Sequence, residues 1–395
     1  MKTLLKTLAI FCLGAFALVG CVQSGGDDNG GGSTSKLLLV ADKSNIYDNG
    51  EDCVTFTLYY EGMTLTEGYE IYIGENPLTG NTFSSTEKGT YTAWATYGTV
   101  QSNDVSINVV ATPPAAPTAP EDTNPEKTNF KRRVFLTQFT GTGCQYCPLM
   151  MNALYAASQG TLANDFIIAA AHIGDFAGND PARLEESKTL DDAMGVRSYP
   201  YLVTDLNKYY QDEESLTYDG MVENMIKGAM QRVGVKGGIA VKAEYHADEE
   251  YIVLNATVKA KETTEFRIGA WLLEDGIKAT QQVANIQYSD GSVGKIRPYD
   301  GVDFNTHHNC VRIADSKMNN NDFSGHYLGT IEAGKTASRE FAFKLKSNGT
   351  GGYSTWNHNN LRVIVFISTK EGNNWFVNNV VKCPKDGSVD FEYEE

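Results

Sequence analysis

Residues 112–126 hold five of the chain's eleven prolines, in the run Thr-Pro-Pro-Ala-Ala-Pro-Thr-Ala-Pro-Glu-Asp-Thr-Asn-Pro-Glu. Each proline fixes φ and removes a backbone donor, so neither a helix nor an inner sheet strand can pass through. The run reads as a stiff, extended linker over 112–129. The chain must therefore fold in separate pieces on either side of it. Upstream, residues 36–111 alternate apolar and polar side chains in short runs, Lys36–Ala41, Val54–Tyr60, Tyr69–Ile73, Gly89–Tyr97 and Val105–Val110. Gly- and Asn-rich turns separate these runs, and the spacing suits a β-sandwich of immunoglobulin type.

Downstream the pattern changes twice. Over 130–235 the expected order is a strand at Arg133–Phe139, a helix at Cys147–Ser158, a fully buried strand at Phe166–Ile173, a helix at Leu184–Met194 closed by Gly195, a strand at Tyr201–Thr204 and a helix over 221–233. A strand apolar on both faces belongs in a parallel sheet, so this segment reads as α/β. From 236 to 395 the chain returns to β runs, which predict a second sandwich, with a long loop at about 290–335. At that length a loop is either functional or without fixed structure. The fold class expected is thus multidomain: all-β, then α/β, then all-β.

With 395 residues, a net charge of −16 and 41% hydrophobic residues, the chain has material for real cores. So acidic a surface excludes phosphate-backbone recognition, hence no nucleic-acid partner, and polybasic docking on anionic lipid. Lys2 and Lys6 precede an apolar stretch over Leu8–Val19, too short to span a bilayer, as in a secretory signal over 1–20. Its end, Leu18-Val19-Gly20-Cys21, resembles the bacterial lipobox, which implies lipid on Cys21 and a membrane anchor. Residues 21–35 read as a flexible tether, and its Asp27-Asp28 pair resembles the surface-export signal of Bacteroidota lipoproteins. The localisation this implies is a lipid-anchored protein of the outer membrane, facing the periplasm or the exterior.

Of seven cysteines, Cys12 leaves with the signal and Cys21 carries lipid; Cys53, Cys144, Cys147, Cys310 and Cys383 remain. An oxidising compartment lets disulfides persist. Cys310 and Cys383 lie in the same C-terminal region and are a possible structural disulfide. Cys53 falls on the polar side of its strand. Cys144-Gln145-Tyr146-Cys147-Pro148 stands between a strand and a helix. There, free N–H groups and the macrodipole favour a thiolate, with a cysteine pKa lowered to roughly 3.5–7.5. Pro148 is tolerated in the first helical turn, and the second sulfur is spaced to resolve a mixed disulfide. No second CxxC or spaced His pair completes a zinc site, so no metal is expected.

With this strand–CxxC–helix, residues 130–233 resemble the thioredoxin superfamily. Met194-Gly195-Val196-Arg197-Ser198-Tyr199-Pro200 resembles that family's loop, in which a cis-proline faces the redox cysteines. The resemblance implies that Cys144 attacks, Cys147 resolves, and Pro200 and Tyr199 bind substrate backbone, with no bound cofactor. It departs at Gln138, where the family usually has an acid that assists proton transfer, and at Gly143, which is often Trp. His307-His308-Asn309-Cys310-Val311-Arg312 resembles an HHN-x-x-R stretch of Bacteroidota outer-membrane lipoproteins that join a thioredoxin-like domain to a C-terminal β-domain. His172 reads as a structural histidine. Asp290, Asp300, Asp303 and Asp322 lack EF-hand spacing. Two functions stay open. One is thiol–disulfide exchange with protein thiols or a redox partner. The other is a surface binding or adhesion lipoprotein with a static disulfide on a thioredoxin scaffold.

Overall fold

The computed structural model describes residues 37–173, 180–211 and 217–394. The signal segment, Cys21 and the tether lie outside the described residues. The chain divides into two compact units, one ending at Thr112 and the other spanning Pro113–Glu395.

In the first unit, Leu37–Ala41 pairs antiparallel with Val54–Tyr60 in one sheet, and Gly89–Tyr97 lies between Tyr69–Ile73 and Val105–Val110 in another. Alternation sends Val54, Phe56 and Leu58 from one sheet, and Ile71, Ala93 and Ile107 from the other, into a shared core. The unit is thus a two-sheet sandwich. Cys53, on the opposite side to Val54, is half-buried and free.

The second unit contains β1 (Val134–Thr140), α1 (Cys147–Gln159), β2 (Phe166–His172), α2 (Ser187–Met194), β3 (Tyr201–Thr204) and α3 (Tyr218–Arg232). These are followed by β4 (Gly237–His246), β5 (Tyr251–Ala260), β6 (Thr264–Glu274), β7 (Cys310–Asp315), β8 (His326–Ile331), β9 (Thr336–Lys344), β10 (Leu361–Glu371), β11 (Asn374–Pro384) and β12 (Gly387–Val389). All seven residues of β1 are buried, as its apolar run on both faces requires. In α1, Met150, Ala153 and Leu154 recur at helical spacing and face the sheet with Val222 and Met225 of α3. Gly195 ends α2 at φ 69°, a left-handed cap that glycine takes without steric cost.

One sheet of eight strands runs β3-β1-β2-β7-β6-β10-β11, with β8 also on β6. It joins strands from both sides of residue 235, so the expected boundary there falls inside a single unit. The junction is the parallel pairing of β2 and β7 at Ala170 and Cys310. A second sheet, β9-β5-β4-β12, packs on the face of β6, β10 and β11 through Ile252, Leu254, Phe266, Ile268 and Val363. The C-terminal sandwich therefore shares its larger sheet with the α/β segment.

Two further expectations are corrected. Cys310 and Cys383 are both free and buried. They sit on β7 and β11 with β6 and β10 between them, three strand spacings or about 14 Å, whereas a disulfide needs Cα atoms about 4.4–6.8 Å apart. The linker also ends early. Asp122 pairs with the buried Lys259 ammonium at 2.6 Å, which donates to the Pro125 carbonyl at 2.8 Å. Phe130 then lies on Gly238 of β4, where a Cβ would sit 2.2 Å from the ring. From Asp122 onward the chain is docked on the second unit.

Asp205, just past β3, ties the unit together. Its carboxylate accepts from Arg132 at 2.7 Å, Arg232 at 3.1 Å and the Phe135 N–H at 3.0 Å, and its carbonyl accepts from Val377 N at 2.9 Å. Asp205 is fully buried and Arg132 nearly so. Asp205→Asn keeps the shape and tolerates the φ of 54°, but leaves Arg132 a buried charge with its main counter-ion gone. The expected loss is about 3 kcal/mol, read as a lowered urea midpoint at unchanged slope. A loss below about 1 kcal/mol would show that Asp205 is not the clasp.

Candidate functional site

β1 delivers the chain into a turn, Gly141–Tyr146, that opens α1. Cys144 N donates to the Gly141 carbonyl at 3.0 Å and Cys147 N to the Cys144 carbonyl at 3.2 Å. Cys147 is the first helical residue, and Pro148 follows in the first turn. The two sulfurs form a disulfide, with Cα atoms 5.4 Å apart. The Tyr199–Pro200 peptide bond is cis. Because Tyr201 pairs with Phe139, Pro200 lies level with the end of β1, at the same end of the sheet as the cysteines. The Tyr199 hydroxyl is held by the Asp191 carboxylate of α2. Gln138 is buried, and its Nε2 has no hydrogen-bond partner among the described residues.

The sulfurs are covered. Cys144 is 4% exposed and Cys147 fully buried, while Gln145 and Tyr146 between them face solvent. A strap from the segment between β6 and β7 is bonded to the turn that carries the sulfurs. Gln282 N donates to the Thr142 carbonyl at 2.8 Å and Ala284 N to the Gln145 carbonyl at 2.9 Å. The Gln281 Nε2 group donates to the carbonyls of Cys144 at 2.8 Å, Gln282 at 3.1 Å and Gly141 at 3.3 Å. The strap is anchored on α1, where buried Asn152 donates to the Arg297 carbonyl and accepts from Tyr299 N, both at 2.9 Å. Ala284, Ile296 and Phe304 pack with Leu149 and Met151 of that helix. The segment expected as a loop over about 290–335 holds β7 and β8, and its Ile296, Arg297, Tyr299 and Phe304 anchor the strap on α1.

Behind the turn lies a buried polar cluster. Asp180 accepts from Thr142 N at 2.8 Å and from Ala182 N at 2.9 Å, and pairs with His172 Nδ1 at 2.9 Å. The His307 ring stands edge-on to His172, with centroids 5.0 Å apart. Burial works to lower the His172 imidazole, but the Cys310 sulfur and the Asp180 carboxylate against it outweigh burial and hold its pKa up at about 10. Burial opposes ionisation of Asp180 too, yet the His172 bond and charge and the two N–H donors keep it well below the usual carboxylate range. His307 is pushed down to about 4 by burial and by the His172 charge. His307 is buried and His308 exposed, so adjacent histidines do point apart.

The rest of the HHN-x-x-R stretch is also occupied. Asn309 takes a φ of 59° and accepts from Arg362 at 2.7 Å, and Arg312 forms a buried pair with Glu274 at 2.8 Å. Asp303 is bonded to Lys278 and Thr306, and Asp322 to Arg267 and Ser324. Among the described residues, no group of three or more His, Cys, Asp or Glu side chains is arranged to hold a metal ion. Asp180 and Gln281 escaped the sequence reading. Their only signal is position, a polar residue in a loop that returns to the CxxC turn from far along the chain.

The family model described as outer membrane protein Omp28 matches residues 187–385. No curated protein matches the chain. Among solved structures, HBP35 of Porphyromonas gingivalis is similar at 17% identity with a TM-score of 0.45, over 65% of this chain and 76% of that one. The Yersinia pseudotuberculosis adhesin InvE aligns at 10% identity with a TM-score of 0.17, over 92% of this chain and 61% of that one.

Two measurements follow from this geometry. Gln281→Ala removes the donor shared by three carbonyls, so the strap opens at lower cost. Reduction of Cys144–Cys147 by dithiothreitol, followed by timed alkylation and mass analysis, should become about tenfold faster, as expected for losing one to two net hydrogen bonds. An unchanged rate would mean that the strap does not limit access. The two buried histidines give stability opposite slopes about their unfolded value of 6.5. The His307 contribution is full above 6.5 and lost as pH falls toward about 4. That of His172 is full below 6.5 and lost as pH rises toward about 10. In a melting-temperature profile, His307→Gln should flatten the acid limb between these values and leave the alkaline limb; a persistent acid limb would refute the assignment.

Proposed function

The chain belongs to the Omp28 outer membrane protein family, and from that premise we propose that it is an envelope thiol–disulfide exchange protein working through Cys144 and Cys147. In this reading residues 130–235 are a thioredoxin-like segment. The observation that carries it is the disulfide at the N-terminus of α1, at the same sheet end as a cis-proline. Lipid on Cys21, read from Leu18-Val19-Gly20-Cys21, is the anchor that fits outer-membrane association.

The step is an exchange of bonds. A substrate thiolate attacks Cys144 Sγ, the Cys144–Cys147 bond breaks, and Cys147 leaves as a thiolate that takes up a proton. A second substrate thiol then attacks the mixed disulfide, releasing Cys144 as thiolate and the substrate as a disulfide. Two electrons pass from substrate to protein, and the reverse sequence oxidises the protein. Thiol exchange needs no bound cofactor. The helix N-terminus favours either departing thiolate. Gln138 cannot take a proton, so the proton of the resolving thiol goes to water. Tyr199 and Pro200 border the substrate backbone, and the strap must move first, because a sulfur is attacked only when reached.

The burial of Cys144 favours a second reading, a binding lipoprotein in which the disulfide is a static brace. The reduction potential of the couple in glutathione buffers, with Cys144→Ser as control, separates the two. A potential above roughly −270 mV supports exchange, and its value distinguishes oxidant from reductant. A value below about −300 mV, or no reduction, gives the brace.

A further inference from the structure

The β2–β7 junction leaves an opening. The two strands share a single register pair, Ala170 with Cys310, so the first half of β2 has no neighbour on that side. A cavity of about 720 Å³ lies there, between α1, the edge of β2 and the ends of β10 and β11. That volume is within the usual range for small-molecule sites, about 300–1,000 Å³. Its apolar wall includes Leu154, Phe166 and Ile168.

Among the polar groups that line it, Lys278, Arg362 and Lys382 are cations against two acids, Asp275 and Asp303. Gln138 is 5% exposed and its Nε2 is unpartnered. Arg362 uses Nη2 on Asp275 and Asn309, and its Nε is unpartnered. Lys382, at an exposed position near the end of β11, has no carboxylate partner among the described residues; partial desolvation and then the Arg362 charge lower its pKa. Buried donors without acceptors, here Gln138 Nε2 and Arg362 Nε, are costly, and an acceptor-bearing ligand would relieve that cost. The acids on the wall are already engaged, Asp275 by Arg362 and Asp303 by Lys278.

We propose that this cavity binds a single-chain amphipathic carboxylate. Its alkyl chain lies on Leu154, Phe166 and Ile168, and its carboxylate accepts from the donors at Lys382 and Arg362. The site is separate from the disulfide, so this proposal and the exchange reading stand or fall independently.

The test is titration calorimetry of the full chain with decanoate. Decanol, which lacks the charge, and propionate, which lacks the chain, serve as controls. Two variants accompany it: Lys382→Gln, which removes the free cation, and Ala163→Trp, at an exposed position on the cavity wall, which narrows the mouth. Decanoate should bind one-to-one, with both controls and both variants at least about tenfold weaker, the loss expected when one charged hydrogen bond or the apolar wall is removed. No decanoate binding overturns the proposal. So does decanol or propionate matching decanoate, or either variant binding as tightly as the native chain. Circular dichroism of the variants verifies that they are folded.

Discussion

Asp205 is the point on which the second unit turns. Two guanidiniums, one from the segment before β1 and one from the end of α3, meet a carboxylate with no solvent exposure. The same residue bonds the backbone of β1 and of β11. The three charges lie within residues 130–235, and the bonds from Val377 N to the Asp205 carbonyl and from Arg132 Nε to the Asn378 carbonyl tie the cluster to the C-terminal strands. Through β1 and β11, Asp205 touches both sides of the eight-stranded sheet.

Much of the local structure was legible. β1 and β2 announce themselves by apolar runs, α1 and α3 by helical spacing, and α2 by its glycine stop, because each depends on neighbours a few residues away. The CxxC was legible for the same reason, while the cis-proline was expected only from the likeness of residues 194–200 to the thioredoxin-superfamily loop. What could not be read was whatever depends on distant pairing. Ala170 meets Cys310 across about a third of the chain, and no feature near either residue says so. Cys310 and Cys383 looked paired because they are close in sequence, but sheet order separates them. Gln281 reads as part of a strand until its three carbonyl partners are seen.

The HHN-x-x-R stretch has a structural meaning. His307 stands against His172, Asn309 turns the backbone and receives Arg362, and Arg312 neutralises Glu274 inside the sheet. Each residue holds polar atoms where an α/β layer and a β-sandwich merge.

The strap also orders events in time. The CxxC turn is made well before residues 281–284, which must wait for β6 to find its place in the sheet. While the chain is being synthesised, or threaded from its N-terminus through a membrane, both sulfurs are bare and open to whatever oxidant is present. Completion of the C-terminal sheet then bonds the strap to the turn that carries them. The redox history of the motif is written early and sealed late, so a chain cut short after α3 would carry the same cysteines with nothing to protect them.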